Sequence, residues 1–339
     1  MKLKINELEQ LLVKAASKFV STQEARYFAK EQIDTHIKKA PRVNALEAAI
    51  RDLQSWQDSK DRNIKIQVDK GASLLINFNK LAPSLKLKYL HDQLGKRSKK
   101  HGIAALGLNN TAGLHVMNLL SDGLGKRDLI GISFFNGGPR CVVPYGGTKG
   151  IFGTNPMSYA IPTTDKPILV DMATSAIPFF EFRNAMEKGQ QLKSNVIVDK
   201  DGKPTTDPNK AFLSNRVKNM LPIGAGHKGA AITLLIEVLT GSLVRSLIGN
   251  EKSKAYTKEE LGGLLIAIDV KSFTDLNKFK KSISKMRQDI RAQKPAPKTA
   301  KVLMPGDKSY QRANKVRKQG IINIDKKSYT NLKKLLLQS

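Results

Sequence analysis

Residues 216–243 read RVKNMLPIGAGHKGAAITLLIEVLTGSL, and this stretch decides the fold class. Inside it, Gly224-Ala-Gly226-His-Lys-Gly229 has the G-x-G-x-x-G spacing of a dinucleotide-binding turn, and an apolar helix follows. A Rossmann turn needs a buried strand directly before its first glycine. Here Lys218, Asn219 and Pro222 interrupt the approach, so the Rossmann reading fails. The local physics still stands. Glycines at a helix start leave backbone N–H groups free, and Lys228 adds a positive charge, so an anion such as a cofactor phosphate can sit there. A plain helix-entry turn would have the same residues. The apolar run 229–243 carries Glu237 and is flanked by Lys228 and Arg245, which predicts a buried helix and not a membrane span.

Upstream of this stretch the first sixty residues have helical spacing. Leu8, Leu11, Leu12 and Ala15 share one face, and Ser21 with Glu24 forms a capping box for a second helix through Ala25, Phe28, Ala29 and Ile33. Pro41 ends or kinks it, because the residue before a proline is pushed out of the helical region. A third helix runs through Leu46, Ala49, Ile50 and Leu53. Ile64, Ile66 and Val68 alternate with polar residues, Asp69-Lys-Gly71 turns, and Leu74, Ile76 and Phe78 return, which predicts a hairpin. Short apolar runs at 103–108, 129–135, 157–161, 168–170 and 264–268 alternate with helical segments, so the class is α/β. Residues 294–301 (KPAPKTAK) read as a linker to a closing pair of basic helices, and no internal repeat occurs.

The 339 residues suffice for one large domain or two, and 40% hydrophobic residues exclude wholesale disorder. The formal charge is +29. It is uneven: residues 291–339 hold 13 Lys/Arg and 2 Asp/Glu, whereas 129–185 hold 4 and 3. A basic chain invites a nucleic-acid reading, but no basic stretch interleaves aromatics for base stacking and no Cys/His finger exists. The charge therefore reads as solvated surface, with only non-specific nucleic-acid binding expected. Cys141 is the sole cysteine, so no intrachain disulfide forms and a reducing, cytoplasmic setting is expected. The first residues, MKLKINELEQLLVKAASKF, lack the apolar core of a signal peptide, and no metal site is expected.

Hydrolase and nucleotide-triphosphatase signatures are missing. There is no H-E-x-x-H and no G-x-S-x-G, and Gly125-Lys126 is followed by Arg127 where a P-loop has a hydroxyl. Instead, tight-turn residues crowd the middle: Asn136-Gly-Gly-Pro139, Pro144-Tyr-Gly-Gly147 and Gly153-Thr-Asn-Pro156. Such loops let a backbone approach a ligand closely, although ordinary turns share the composition.

Six ordered blocks carry a resemblance. They are Cys141-Val-Val-Pro-Tyr-Gly-Gly147, Gly153-Thr-Asn-Pro156, Asp171-Met-Ala-Thr-Ser175, Asp201-Gly-Lys-Pro-Thr-Thr-Asp-Pro208, Gly226-His-Lys-Gly229 and Met304-Pro-Gly306. Together they resemble the type-2 malate/L-lactate dehydrogenase family of NAD(P)-dependent oxidoreductases, with the middle blocks most like the Δ1-piperideine-2-carboxylate reductase branch. The resemblance implies a non-Rossmann nucleotide-binding domain with a mixed sheet, at residues 106–272. A helical domain would be built from both termini, 1–105 and 273–339, and the protein would be a homodimer. It implies hydride transfer between nicotinamide and a small 2-oxo or 2-hydroxy acid, or a cyclic imine acid.

The resemblance also implies roles. His36 aligns with a proton-donating histidine, Thr35 stands where the family has serine, and Glu181 matches an acid that orients the histidine. Imidazole suits proton transfer near neutrality. Thr154 resembles a substrate contact. Cofactor contacts are implied at Thr111 and Gly113, at Asp171, Met172, Ala173, Thr174 and Ser175, at His227 and Lys228, and at Pro305, Gly306, Asp307 and Lys308. Lys308 and Arg312 tilt the choice towards NADP over NAD, because a 2′-phosphate needs cations. Three departures stand out. Ala40 replaces the arginine expected four residues after the histidine, leaving Arg42 or Lys149 to grip the carboxylate. Thr111 replaces a histidine, and Phe179-Phe180 replaces an Arg-Gly pair. The other reading is a non-catalytic derivative that binds a ligand or nucleic acid through its basic flanks.

Overall fold

The structure is a computed structural model, and it describes residues 1–39, 44–114, 116–214, 217–249, 251, 260–297 and 299–337. The chain opens with β1 (Lys2–Lys4), α1 (Ile5–Ala16), α2 (Thr22–Lys38) and α3 (Ala45–Asp58). The capping box starts α2 as expected: the Ser21 hydroxyl accepts from Glu24 N–H at 3.3 Å while Glu24 Oε2 accepts from Ser21 N–H at 3.2 Å. α2 stops at Lys38, and Lys39 is extended. The predicted hairpin forms as β2 (Lys65–Lys70) and β3 (Ser73–Asn77), followed by α4 (Leu87–His101), β4 (Ile103–Thr111), α5 (Asn118–Gly125) and β5 (Leu129–Phe135).

Next come β6 (Arg140–Val142), β7 (Met157–Ile161), β8 (Ile168–Met172) and α6 (Phe179–Glu187). A group of short strands follows: β9 (Ile197–Val198), β10 (Pro204–Thr205), β11 (Phe212–Ser214) and β12 (Val217–Met220). Then α7 (His227–Thr240), β13 (Leu261–Asp269), α8 (Leu276–Arg291), α9 (Asp307–Gln319), β14 (Ile321–Asn323) and α10 (Lys326–Leu337) complete the described elements.

Seven strands form the main sheet in the order β2-β3-β4-β13-β5-β7-β8, with β3–β4 its one parallel pair. β8 is therefore an edge strand, a fact that positions everything below. β6, β9, β10, β11 and β12 make a smaller sheet with its own apolar cluster around Phe182, Ile197 and Met220. β1 pairs β14 antiparallel, and the two terminal segments join the main sheet's core: Leu8, Phe28, Ile322 and Leu332 lie in one apolar cluster with Ile76, Leu106 and Leu265.

A buried histidine ties α2, α4 and α5 together. His91 Nδ1 accepts from the Tyr27 hydroxyl at 2.8 Å, and its Nε2–H donates to the Leu120 carbonyl at 3.0 Å. Burial pushes its pKa down to about 3, so the ring stays neutral in this role. Gly123 is required opposite it, since a Cβ there would lie 2.2 Å from His91 Cε1.

The expectation of a buried helix at 229–243 needs correcting. α7 buries Gly229, Thr233, Ile236, Glu237 and Thr240, but Ile232, Leu234, Leu235 and Val238 are 44–55% exposed. The segment His227–Val244 is long and apolar enough to cross a membrane by length and composition. Its inward face is nonetheless polar and tied to the domain. Glu237 accepts from Asn155 Nδ2 at 2.7 Å and from Gly249 N–H at 2.8 Å. An apolar run reports that a helix is covered, not which chain covers it.

Candidate active site along the β8 edge

Most of the residues singled out in sequence lie along β8 and the loop that continues it. At the start of the strand, the Tyr310 hydroxyl donates to the Pro167 carbonyl at 2.9 Å. Gly306 has a φ of +92°, and a Cβ there would lie 3.5 Å from Leu169 N. Residues 305–308 are thereby laid against the strand. Asp307 does not reach outward for a ligand, however. Its carboxylate accepts from Arg291 Nε at 3.0 Å and from Met304 N–H at 2.9 Å. Burial works against its ionisation, but those donors outweigh it and hold its pKa below the usual carboxylate range.

Asp171 lies near the end of the strand. Its Oδ2 accepts from Lys39 Nζ at 2.6 Å and from Asn118 N–H at 3.2 Å. Asn118 Nδ2 donates in turn to Thr35 Oγ1 at 3.3 Å. Asn118 is 2% exposed, and its Oδ1 has no hydrogen-bond partner. A buried acceptor left unpaired costs about 1–3 kcal/mol, so it marks a place where a ligand N–H or a water belongs.

Past the strand, Thr174 N–H donates to the Thr154 carbonyl at 2.9 Å, and Thr174 Oγ1 donates to the Asn155 carbonyl at 3.0 Å. Ile223 N–H donates to the Thr174 carbonyl at 2.7 Å, and Ser175 bridges Pro222. The N-terminus of α7 thus abuts residues 174–175. Gly229 is required there, because a Cβ would sit 1.8 Å from the Ile223 carbonyl oxygen. No side chain caps α7, and His227 and Lys228 are exposed at its first turn. Free N–H groups, the helix dipole and the Lys228 ammonium together favour an anion. Beside this turn opens a cleft of about 790 Å³, lined by Tyr145, Gly146, Thr148, Asp201, Gly224 and Ala225 among others. The Tyr145 ring meets His227 edge-on at 5.8 Å. That volume is in the range of small-molecule sites.

Other residues singled out in the sequence lie apart from the Asp171 cluster. His36 is not turned towards Asp171. Its Nε2 pairs with the Asn323 carbonyl at 3.2 Å, its Nδ1 is buried without a partner, and the nearby charge is Asp325. Burial lowers its pKa, with the Asn323 carbonyl and Asp325 acting in the opposite direction. The reason is helix phase. At about 100° per residue His36 is rotated away from Thr35, while Lys39, extended just beyond the helix end, reaches Asp171 of β8. Glu181, in the first turn of α6, makes no side-chain hydrogen bond to His36 among the described residues. Thr111 is fully buried, and its hydroxyl donates to the Leu261 carbonyl at 3.0 Å, holding β4 to β13 and not facing a ligand. Gly113 is half-buried in the loop that leads to α5.

Arg312 donates to the Lys38 carbonyl at 2.7 Å, so it is a tie between α9 and α2, while Lys308 is exposed. Lys149 is exposed on the loop of the smaller sheet. Arg42 lies outside the described residues. Lys39 and Asn118 were missed by sequence reasoning. Lys39 was findable as the residue one helical turn after Thr35, whereas nothing in the sequence flagged Asn118.

Residues 3–333 match the malate/L-lactate dehydrogenase family. The malate/(S)-sulfolactate dehydrogenase of Methanothermus fervidus is 34% identical over 278 residues, covering 80% of this chain and 78% of that protein. The Δ1-pyrroline-2-carboxylate/Δ1-piperideine-2-carboxylate reductase of Pseudomonas putida is 38% identical over 148 residues, 43% of this chain and 42% of that one. Among solved structures, the sulfolactate dehydrogenase of Methanocaldococcus jannaschii superposes with a TM-score of 0.84 at 27% identity, covering 100% of this chain and 97% of that one. The chain belongs to the malate/L-lactate dehydrogenase family and is an oxidoreductase of the dehydrogenase/reductase type.

Proposed function

We propose that the protein reduces a small 2-oxo acid or cyclic imine acid with NADH or NADPH, with the dinucleotide held along the β8 edge and the first turn of α7. The observation that carries this reading is convergence. Residues 171–175 end β8 and continue it, the turn that leads into His227 and Lys228 bonds to Thr174 and Ser175 through Ile223 and Pro222, and Gly306 lies against Leu169 of the same strand. The group fits the residues present: free N–H groups at the α7 terminus and Lys228 suit a phosphate, and the unpaired Asn118 Oδ1 suits an amide donor. When bound, the dinucleotide supplies the hydride. The chain's own residues would hold it, orient the substrate against it through the Thr154 turn, and deliver a proton. Exposed Lys308 favours a 2′-phosphate and hence NADP.

We assign the substrate class from the relatives, which are named for malate, sulfolactate and cyclic imine carboxylates. We also infer a homodimer formed through the exposed face of α7, and a cytoplasmic setting consistent with the lone buried Cys141.

The test is a panel. Purified protein with NADH or NADPH should lose nicotinamide absorbance with at least one small 2-oxo acid or cyclic imine acid, and faster with NADPH. Cofactor binding without turnover across the panel would favour the non-catalytic derivative.

A further inference from the structure

Asp171 receives both of its described donors on one carboxylate oxygen, from the Lys39 ammonium at 2.6 Å and from Asn118 N–H at 3.2 Å. We propose that Lys39, positioned by Asp171, is the side chain that protonates the substrate's carbonyl oxygen or imine nitrogen. This rests on reading the β8 edge as the site of a nicotinamide-dependent reduction.

Four observations point the same way. Lys39 sits just beyond the end of α2, where the chain has turned extended, so its side chain leaves the helix axis and reaches across to β8. Among the described residues Asp171 is the one side-chain partner of its ammonium, which leaves two N–H bonds for a ligand. The Lys39 side chain is 23% exposed, so water can return a proton after each turnover. Finally, the buried, unpaired Asn118 Oδ1 belongs to the same cluster, an acceptor that a ligand N–H or a water would satisfy. His36, the proton donor that the resemblance implied, pairs with the Asn323 carbonyl of β14 and not with this cluster.

The step balances as follows. A hydride arriving from reduced nicotinamide forms a C–H bond at the carbonyl carbon, and the C=O π pair moves onto oxygen. An N–H bond of Lys39 breaks as the new O–H bond forms, so the substrate is reduced by two electrons and gains one proton. Lys39 is left as a neutral amine, still held by Asp171, and solvent reprotonates it. With a cyclic imine acid the same proton goes to nitrogen.

Lys39→Arg separates this role from simple carboxylate binding. A guanidinium keeps the charge and the contact to Asp171 but does not release a proton in proteins. The expected result is a KM within about threefold of wild type, with kcat lowered roughly 10²–10⁴-fold, the usual worth of positioned acid catalysis. Lys39→Met should lose kcat to the same extent and raise KM as well. NAD(P)H affinity, measured by fluorescence titration, should be unchanged in both, which also reports that each variant is folded.

A Lys39→Arg enzyme with wild-type kcat would overturn the proposal, and so would one altered in KM alone. A hundredfold loss in His36→Ala alongside full activity in Lys39→Arg would hand the proton to His36. If wild type turns over no acid in the panel, both the reductase reading and this proposal fall. If wild type is active and Lys39→Arg is too, only this proposal falls.

Discussion

Replacing Lys38 by methionine should lower stability by about 3 kcal/mol, the low end of what breaking a buried ion pair costs. The reason is a crowded charge network beneath α2. Glu31, Asp34 and Asp122 bring three carboxylates within 4.8 Å of one another, an arrangement that could hold a metal ion. Three cations fill that role here. Lys38 Nζ lies 2.7 Å from Asp34 and 2.6 Å from Asp122, Lys126 Nζ lies 2.8 Å from Glu31 and 3.0 Å from both aspartates, and Arg317 pairs with Asp34.

Burial alone would raise the Asp34 carboxyl, but Lys126 and Lys38 overcome it and bring its pKa down to about 2. Lys126 is pushed well above the usual lysine value: burial opposes this, and the three carboxylates outweigh it. Lys38 is the deepest of the cations, with a side chain 4% exposed. Its removal leaves Asp122, 2% exposed, with only the partly exposed Lys126 as counter-charge. With an unfolding entropy of about 2.1 cal/mol/K per residue, a 339-residue chain shifts by about 1.4 °C per kcal/mol, so the thermal midpoint should fall by roughly 4 °C. A midpoint within a degree of wild type would show that the network contributes nothing net.

Leu235→Glu should turn a dimer into a monomer. Ile232, Leu234, Leu235 and Val238 stand exposed on one helix, and Leu243, 59% exposed, continues the patch just beyond it. Scattered apolar residues are normal on a surface, whereas a run on one helix that Glu237 ties to the fold is what the proposed homodimer would bury. A carboxylate at the middle of a desolvated patch has no partner there. Its burial should weaken association by about 4 kcal/mol, or a thousandfold. Light scattering should give twice the 37.4 kDa chain mass for wild type and 37.4 kDa for the variant. A wild-type monomer at micromolar concentration would remove the second copy from α7, and co-flotation of wild type with lipid vesicles would assign the face to a membrane instead.

Much of this arrangement was legible in the amino-acid order, and the limits have physical causes. The capping box at Ser21, the hairpin at 65–77 and the strands at 129–135 and 157–161 follow from periodicity and local chemistry, which are encoded within a few residues. That β8 is an edge strand does not, because sheet order depends on contacts between distant segments.

At the site, the choice of His36 rested on the family resemblance, with imidazole chemistry in support. Helix phase turns Thr35 towards Asn118 and His36 away from it, and the extended backbone at Lys39 carries that side chain to Asp171. The apolar run in α7 shows the converse limit. Its composition says that something covers the helix, and only the packed structure shows that the rest of its own chain covers half of it. Thr111, implied by the resemblance because it stands where the family has histidine, ties β4 to β13 through its hydroxyl, a group that serves backbone and ligand equally well.

The central claim is that the β8 edge and the first turn of α7 hold a nicotinamide dinucleotide. The most direct measurement is the NAD(P)H dissociation constant of wild type against Lys228→Glu, taken from the fluorescence of the bound cofactor. Lys228 is exposed at an uncapped helix start, so reversing its charge should leave the thermal midpoint nearly unchanged while placing an anion beside the cofactor phosphate. The account predicts measurable wild-type binding, weakened more than tenfold in the variant, which is about 1.4 kcal/mol or more. Equal affinity in the two proteins, or no dinucleotide binding by wild type, would contradict it.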